Sequence, residues 1–226
     1  MLFLVLGKGK TGSLVAEVAR ERGHIVRALD INENAGAAAI TSPTLAGVDA
    51  VIDFTAPEAA VENMRAVLAL GGRIVVGTTG WYAHLDAMKS IAERRNGSLL
   101  YGTNFSIGVQ KLFRLTAELA RLDDYQFSIT ETHHTTKLDA PSGTAITLKE
   151  IIQSVRPGID VPITSHRKGD AKGEHVVTAK SEHDVLELRH DANSRRAFAL
   201  GAVRGAEWLA HQPPGVWNFR EIFDQL

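Results

Sequence analysis

The sequence predicts an α/β protein with a doubly wound parallel sheet, joined to a second α+β domain built on a mixed sheet. Three observations carry this. From Met1 to about Ser106, short apolar runs alternate with amphipathic helical stretches, the pattern of successive β-α units. After Ser106, apolar and polar residues alternate one by one, in runs separated by Gly- and Asp-containing turns. Near the C-terminus a long helical pattern resumes. The expected division is residues 1–106 with 195–226 as one domain and 107–194 as the other.

Taken in order, Leu2–Leu6 is a continuous apolar run suited to a buried parallel strand. Leu14, Val15, Val18 and Ala19 follow at helical spacing, and 24–29 is the second strand. Ala50–Phe54 is the third, with Pro57 placed for the first turn of the next helix and Val61, Met64, Val67 and Leu68 on its apolar face. Strands at 73–76 and 98–101 flank a helix over 82–95. Beyond Ser106 the pattern predicts a helix over 107–122, a strand over 125–130, and a helix reaching about Val155. Short strands follow at 161–166, 175–180 and 185–189. The last helix begins at Ser194 or Arg195 and stops at Pro213-Pro214, and the tail 216–223 is apolar enough to dock.

The loop after the first strand is Gly7-Lys8-Gly9-Lys10-Thr11-Gly12, and Asp30 ends the second strand 23 positions after Gly7. Strand, G-x-G-x-x-G, helix, strand, acid is the order of a Rossmann-type dinucleotide site. Glycines permit the tight turn and the close approach of backbone to a pyrophosphate, and the helix N-terminus offers N–H donors. Asp30 would accept hydrogen bonds from the adenosine ribose. A carboxylate there favours NADH, since it repels the 2′-phosphate of NADPH, and Ile31 brings no guanidinium. Lys8 and Lys10 would offset that repulsion if they turned toward the ribose, which keeps NADPH as the alternative. Gly77-Thr78-Thr79 and Thr103-Asn104-Phe105-Ser106 fall at later strand ends, on the same carboxyl edge of the sheet, and join the expected cofactor site. Asp53 is open between strand-end polarity and cofactor contact.

Composition bounds the function. Hydrophobic residues make up 44% and charged residues 23%, with a formal net charge of −1, so no broad basic field suggests nucleic acid. There is no cysteine, which excludes thiolate catalysis, disulfides and Cys-based zinc sites. Met1–Leu6 is too short for a signal-peptide core, and no run approaches the roughly 20 apolar residues of a membrane span. The expectation is a cytoplasmic protein without membrane or nucleic-acid partners.

Glu131 to Ala145 reads E-T-H-H-T-T-K-L-D-A-P-S-G-T-A. Ser142-Gly143-Thr144 places backbone N–H groups at a helix N-terminus, where an anion is favoured, and His133 and Lys137 can bring protons to the same place. Asp139 is expected to cap or hydrogen-bond the loop, and Glu131 to orient a neighbour. For the paired histidines the competing readings are a surface pair or metal ligands, with His166, His175, His183 and His190 as further candidates. The lack of cysteine and of an H-E-x-x-H helix weighs against zinc, and no metal is expected.

This stretch matches, throughout its length, the E-x-H-H-x-x-K-x-D-A-P-S-G-T-A signature of the 4-hydroxy-tetrahydrodipicolinate reductase (dihydrodipicolinate reductase) family. The chain resembles that family over most of its length, through the N-terminal glycine loop, Val51-Ile52-Asp53-Phe54-Thr55, Val76–Gly80, Asn104-Phe105-Ser106, and Ser194-Arg195 leading to Gly201-Ala202-Val203-Arg204. The resemblance implies NAD(P)H-dependent reduction of a cyclic dicarboxylate in lysine and diaminopimelate biosynthesis, by a homotetramer. It implies His133 as proton donor and acceptor, Lys137 as proton donor, His134 as a substrate contact, and Ser142, Gly143 and Thr144 around a substrate carboxylate. Three features depart from the usual pattern: the first loop is one residue short with Thr11 in place of Met, Ser128 replaces an acidic residue, and the segment between Asp30 and Ala50 is compact. The other readings are a dehydrogenase of another amino-acid-derived substrate, and a nucleotide sensor with a degenerate second lobe. A sensor has no need of His133, Lys137 and Ser142–Thr144.

Overall fold

A computed structural model describes all residues, Met1–Leu226, as two compact units. The first comprises Met1–Ile107 and Arg196–Leu226, the second Gly108–Arg195. The fold class is the expected one.

The first unit holds strands β1 (Leu2–Leu6), β2 (Ile25–Leu29), β3 (Ala50–Asp53), β4 (Arg73–Val76), β5 (Ser98–Tyr101) and β10 (Gly215–Asn218). They form one six-stranded parallel sheet in the order β10-β5-β4-β3-β1-β2. The order reverses between β1 and β3, which opens a crevice outside their carboxyl ends. Both faces are covered, so the strands read as continuous apolar runs. Phe3 and Val5 point to one side, with helices α1 (Lys10–Glu21) and α7 (Arg196–Leu209); Leu4 and Leu6 point to the other, with α3 (Pro57–Ala69) and α4 (Leu85–Arg95). A short helix α2 (Ser42–Leu45) lies in the compact segment before β3, where no element was expected. Thr41 caps it by accepting from the Thr44 N–H, and Pro43 sits in its first turn.

The tail docks, and more regularly than its composition suggests. β10 adds a parallel edge strand beside β5, and α8 (Phe219–Ile222) turns Phe219 into the core. Room for that ring comes from glycine. A Cβ on Gly201 of α7 would lie 1.7 Å from the Phe105 carbonyl oxygen, and one on Gly102 would lie 2.9 Å from the Phe219 Cβ. Phe105 and Phe219 then pack with ring centroids 4.4 Å apart.

The second unit is a four-stranded mixed sheet, β7-β6-β8-β9, from β6 (Gln126–His133), β7 (Ile163–Arg167), β8 (Glu174–Lys180) and β9 (Val185–Asp191). β7 runs parallel to β6, while β8 and β9 are antiparallel to their neighbours. Helices α5 (Ile107–Leu119) and α6 (Gly143–Val155) bring Val109, Leu112, Phe113, Leu148, Ile151 and Ile152 to Phe127, Ile129, Val177 and Ala179. β6 corrects the expected strand by running three residues further. Its inward positions are Phe127, Ile129, Glu131 and His133, so the alternation continues while the residue types turn polar. α5 stops before 122, at Leu119.

Phe219 is fully buried against α7 and Phe105. Phe219→Ala is expected to destabilise the protein by about 3–5 kcal/mol, read as a lower urea midpoint. A loss under about 1 kcal/mol would mean that the C-terminal segment does not close this core.

Candidate active site

In the first unit the glycine loop divides its labour. A Cβ on Gly7 (φ +95°) would sit 2.3 Å from the Phe54 carbonyl oxygen, and one on Gly12 1.9 Å from the Gly7 oxygen. These two glycines allow β1, β3 and α1 to meet. Gly9 is different, since a Cβ there would meet nothing within 4 Å, and it caps α1 without any side-chain hydrogen bond. The helix N-terminus is thus open on the side where backbone would approach an anion, with exposed Lys10 and half-buried Thr11 in its first turn. A dinucleotide pyrophosphate fits this loop. Beside it lies a cleft of about 900 Å³, lined among others by Gly7, Lys8, Asp30, Ile31, Phe54 and Thr55.

Asp30 follows β2 at the rim of that cleft. Its Oδ1 accepts from the backbone N–H groups of Asn32 (2.9 Å) and Glu33 (3.1 Å), which hold the carboxyl below its ordinary range. Lys8 is drawn to the two acids of this turn. Its Nζ donates to Glu33 Oε2 at 2.6 Å and lies 3.8 Å from Asp30 Oδ2. One lysine therefore stands between two carboxylates. Glu33 escaped the sequence reading, although an acid three residues beyond Asp30 in a tight turn was a usable signal.

Asp53 resolves toward structure. It is fully buried at the end of β3 and accepts from Thr55 N (3.1 Å), Thr55 Oγ1 (2.8 Å), Thr78 Oγ1 (2.8 Å) and Asn63 Nδ2 (2.7 Å). Burial pushes its pKa up against these four donors, which pull it down. Asn63 in turn accepts from Asn34 Nδ2 at 2.8 Å. Of the expected cofactor residues, Thr78 is buried with its hydroxyl spent on Asp53 and on the Thr55 N–H, whereas Thr79 and Thr103 are exposed. Gly77 leaves space for the Phe54 ring, which a Cβ would meet at 2.1 Å. Phe105 and Ser106 are buried, and Asn104 accepts from the Ser106 N–H at 2.8 Å.

In the second unit the carboxyl end of β6, the loop after it and the start of α6 form one polar cluster. Ser142 is the N-cap of α6, its Oγ accepting from the Ala145 N–H at 3.3 Å. Its own N–H donates to both Glu131 oxygens, at 3.1 and 3.2 Å. Ser165 on β7 donates to Glu131 Oε1 at 2.7 Å. Gly143 is exposed, and a Cβ there would meet nothing within 4 Å; Thr144 is half-buried beside it. Lys137 donates to Asp139 at 2.6 Å, and Arg167 fixes the same loop by donating to the carbonyls of Lys137 and Asp139. His134 lies half-buried, paired with Thr136 Oγ1 at 2.8 Å, while His133 turns inward.

Burial and positive neighbours decide the charges. Desolvation raises Glu131, but the donors of Ser142 and Ser165 more than offset it and hold the carboxyl below its ordinary range. Burial, with Lys137 and Arg167 nearby, lowers His133. His175 on β8, buried and facing His133 at 5.1 Å between ring centroids, falls from 6.5 to about 4. The ligating atoms of Glu131, His133 and His175 lie within 4.8 Å of one another, close enough for a cation. The Arg167 guanidinium, 3.8 Å from Glu131 Oε1, and the hydroxyl and N–H already on that carboxylate argue for a hydrogen-bond hub instead. Within this unit His133 and Ser142 meet at Glu131, Lys137 pairs with Asp139 in the loop between them, and His134 pairs with Thr136. The sequence reading missed Ser165 and Arg167, which reach the hub through strand pairing, and treated His175 only as a metal candidate.

The sign of the pH dependence follows. A histidine lowered in the folded state leaves the unfolded chain binding more protons between about pH 4 and 6.5, so stability falls as pH falls through that window. Glu131 adds a loss in the same direction further into acid, as its lowered carboxyl is protonated. His175→Gln is expected to lessen the stability lost between pH 7 and 4.5 by on the order of 2 kcal/mol. Urea titrations at both pH values measure this; parallel losses in wild type and variant would refute it.

Comparison with known proteins identifies a family. The family models for dihydrodipicolinate reductase match in both halves, the N-terminus over residues 1–105 and the C-terminus over 108–223. The chain is 36% identical to the 4-hydroxy-tetrahydrodipicolinate reductase of Natronomonas pharaonis, over 94% of this chain and 96% of that one. It is 34% identical to that of Christiangramia forsetii, over 100% and 99% respectively. In fold it is similar to the dipicolinate-bound dihydrodipicolinate reductase of Paenisporosarcina sp. TG-14, with a TM-score of 0.81 at 22% identity, covering 100% of this chain and 99% of that one. Matched in both halves and over nearly the full length of its relatives, the chain belongs to the dihydrodipicolinate reductase family.

Proposed function

We propose that this protein is a cytoplasmic 4-hydroxy-tetrahydrodipicolinate reductase of lysine and diaminopimelate biosynthesis that prefers NADH to NADPH. The observation that carries the reading is the Glu131–Ala145 cluster, where an imidazole, an ammonium group and an open helix N-terminus converge in one unit. Replacing a ring hydroxyl by hydrogen consumes one hydride and one proton and releases water. The site therefore has to hold a dicarboxylate and deliver a proton. When bound, the reduced nicotinamide supplies the hydride.

The chain's own residues supply the rest. Gly143 and Thr144 at the α6 N-terminus, with the Ser142 cap, take one substrate carboxylate; His134 contacts the substrate. The solved reductase from Paenisporosarcina binds dipicolinate, a planar ring bearing two carboxylates, the kind of anion such a terminus suits. Lys137 is the proton donor, held in place by Asp139, and His133 donates and accepts protons. In this reading residues 1–106 with 195–226 hold the dinucleotide, through Gly7–Gly12, Asp30, Gly77–Thr79 and Thr103–Ser106. Residues 107–194 hold the substrate and assemble the homotetramer. Support for assembly is the exposed pair Val185 and Leu186 on β9. No helix is long and apolar enough to cross a membrane.

The NADH preference rests on Asp30 and Glu33. Two carboxylates with one lysine between them leave net negative charge where a 2′-phosphate would sit, and Lys8 is already engaged.

Purified protein mixed with NADH and the fresh condensation product of pyruvate and aspartate semialdehyde is expected to consume absorbance at 340 nm, a general property of reduced nicotinamides. Absence of turnover with both cofactors would sink the reading. Lys137→Ala should lower turnover at least about tenfold, as loss of a general acid does; near-normal turnover would remove it from the proton-donor role. Asp30→Ala combined with Glu33→Gln should shift the NADH/NADPH ratio of kcat/KM toward NADPH, and an unchanged ratio would show that these carboxylates do not read the ribose.

A further inference from the structure

His133 has an unexplained atom. Its Nδ1 is buried and has no hydrogen-bond partner, and the nearest carboxylate oxygen, Glu131 Oε2, stands 3.6 Å away. The two residues are i and i+2 on β6, so both side chains leave the same face of the strand. Glu131 is held from the other side. The Ser142 N–H is shared between the two oxygens, at 3.1 Å from Oε1 and 3.2 Å from Oε2, while Ser165 Oγ bonds Oε1 alone, so Oε2 is the less committed oxygen and the one toward the imidazole. The one other ring near Oε2 is His175, whose Nε2 is 3.7 Å from it but 3.2 Å from Ser142 Oγ, a partner it already has. The opposite edge of His133 is kept clear by Gly173, where a Cβ would come within 3.3 Å of Nε2.

We propose that Glu131 is a positioning residue for His133. It holds the neutral ring with its proton on Nδ1, turned toward Oε2, and leaves Nε2 as the atom that exchanges protons. The gap closes to a hydrogen bond of about 3 Å with a small rotation of the ring, as catalytic pairs tighten when a site fills. Catalytic use of Nε2 rests on the function proposed above; the tautomer and the proton affinity do not. The groups facing His133 are Glu131 on β6, His175 on β8, Arg167 on β7, and Lys137 and Asp139 on the loop, with His190 of β9 across from His175. Arg167, Lys137 and burial all disfavour the imidazolium. Glu131 and Asp139 favour it, and only Glu131 is buried with the ring.

Glu131→Gln keeps size and shape. Its carbonyl retains the Ser142 and Ser165 bonds, so its amide group faces His133 and offers a donor where Oε2 offered an acceptor. Histidine ¹⁵N spectra of the full chain across pH, read without turnover, test the inference. In wild type the neutral ring is expected to carry its proton on Nδ1. In Glu131→Gln it should switch to Nε2–H, with the His133 pKa lower by at least about one unit. Turnover should fall at least about tenfold with KM changed less than about threefold, and the alkaline limb should move to lower pH. Glu131→Asp, which keeps the charge, should restore part of the pKa, and it carries the test if the glutamine variant does not fold. The same tautomer and pKa for His133 in these variants as in wild type would overturn the inference. Inactive wild-type protein whose His133 behaves as stated would overturn the function alone.

Discussion

A carboxylate removed from water has to be surrounded by donors, and each unit of this protein is built around one that is. Glu131 takes donors from β7 through Ser165 and from the first residue before α6 through Ser142, with Arg167 alongside. Satisfying it ties strand, strand and helix together at one point. Asp53 does the same in the first unit. It collects Thr78 at the end of β4 and Asn63 of α3, and through Asn63 it reaches Asn34 in the segment after β2. The carboxyl ends of the strands, where ligands bind in such sheets, are thus fixed from beneath by buried charge.

This constraint explains how chemistry and packing share the Glu131–Ala145 stretch. An alternating strand aims Glu131 and His133 inward, so the acid meets the α6 cap and the imidazole meets His175. His134 lies just past the last residue of β6 and pairs with Thr136 in the loop. The strand's alternation thus accounts for the inward turn of His133, and the helix N-terminus is tied to the strand because its cap residue donates to Glu131. Loss of that carboxylate would leave the buried Ser142 N–H without its acceptor, a penalty of about 1–3 kcal/mol, and would free the half-buried Ser165 hydroxyl.

Much of this was legible in the sequence because it follows from local pattern. The β-α alternation gave β1 to β5 nearly to the residue, and the glycine loop announced its own turn. The end of β6 was not legible, since Glu131, Thr132 and His133 are poor apolar markers and their strand character comes from β7 and β8 on either side. Ser165, Arg167 and His175 could not be read as partners of Glu131 for the same reason: they lie 34, 36 and 44 positions away, and only register brings them close. Thr78 has a structural use that its residue type alone does not reveal: its hydroxyl bonds Asp53 and the Thr55 N–H.

The two ends of the proposed reaction are held by interactions of different strength. Around His133 the carboxylate of Glu131 and the ring of His175 are buried, so a charge lost there is felt in full. Around Asp30 the ion pairs with Lys8 are exposed and screened by solvent, so they hold little. A lysine so weakly held can be turned by one substitution, and a carboxylate there can be exchanged without disturbing the core. On the proposed reading, the choice between two nicotinamide cofactors sits on the part of the fold that changes most cheaply, while the proton-transfer site sits on the part that resists change. The glycine loop joins both kinds of hold: Gly7 and Gly12 are fixed by contact with Phe54 and with each other, while Lys8 between them carries the exposed pairs with Asp30 and Glu33.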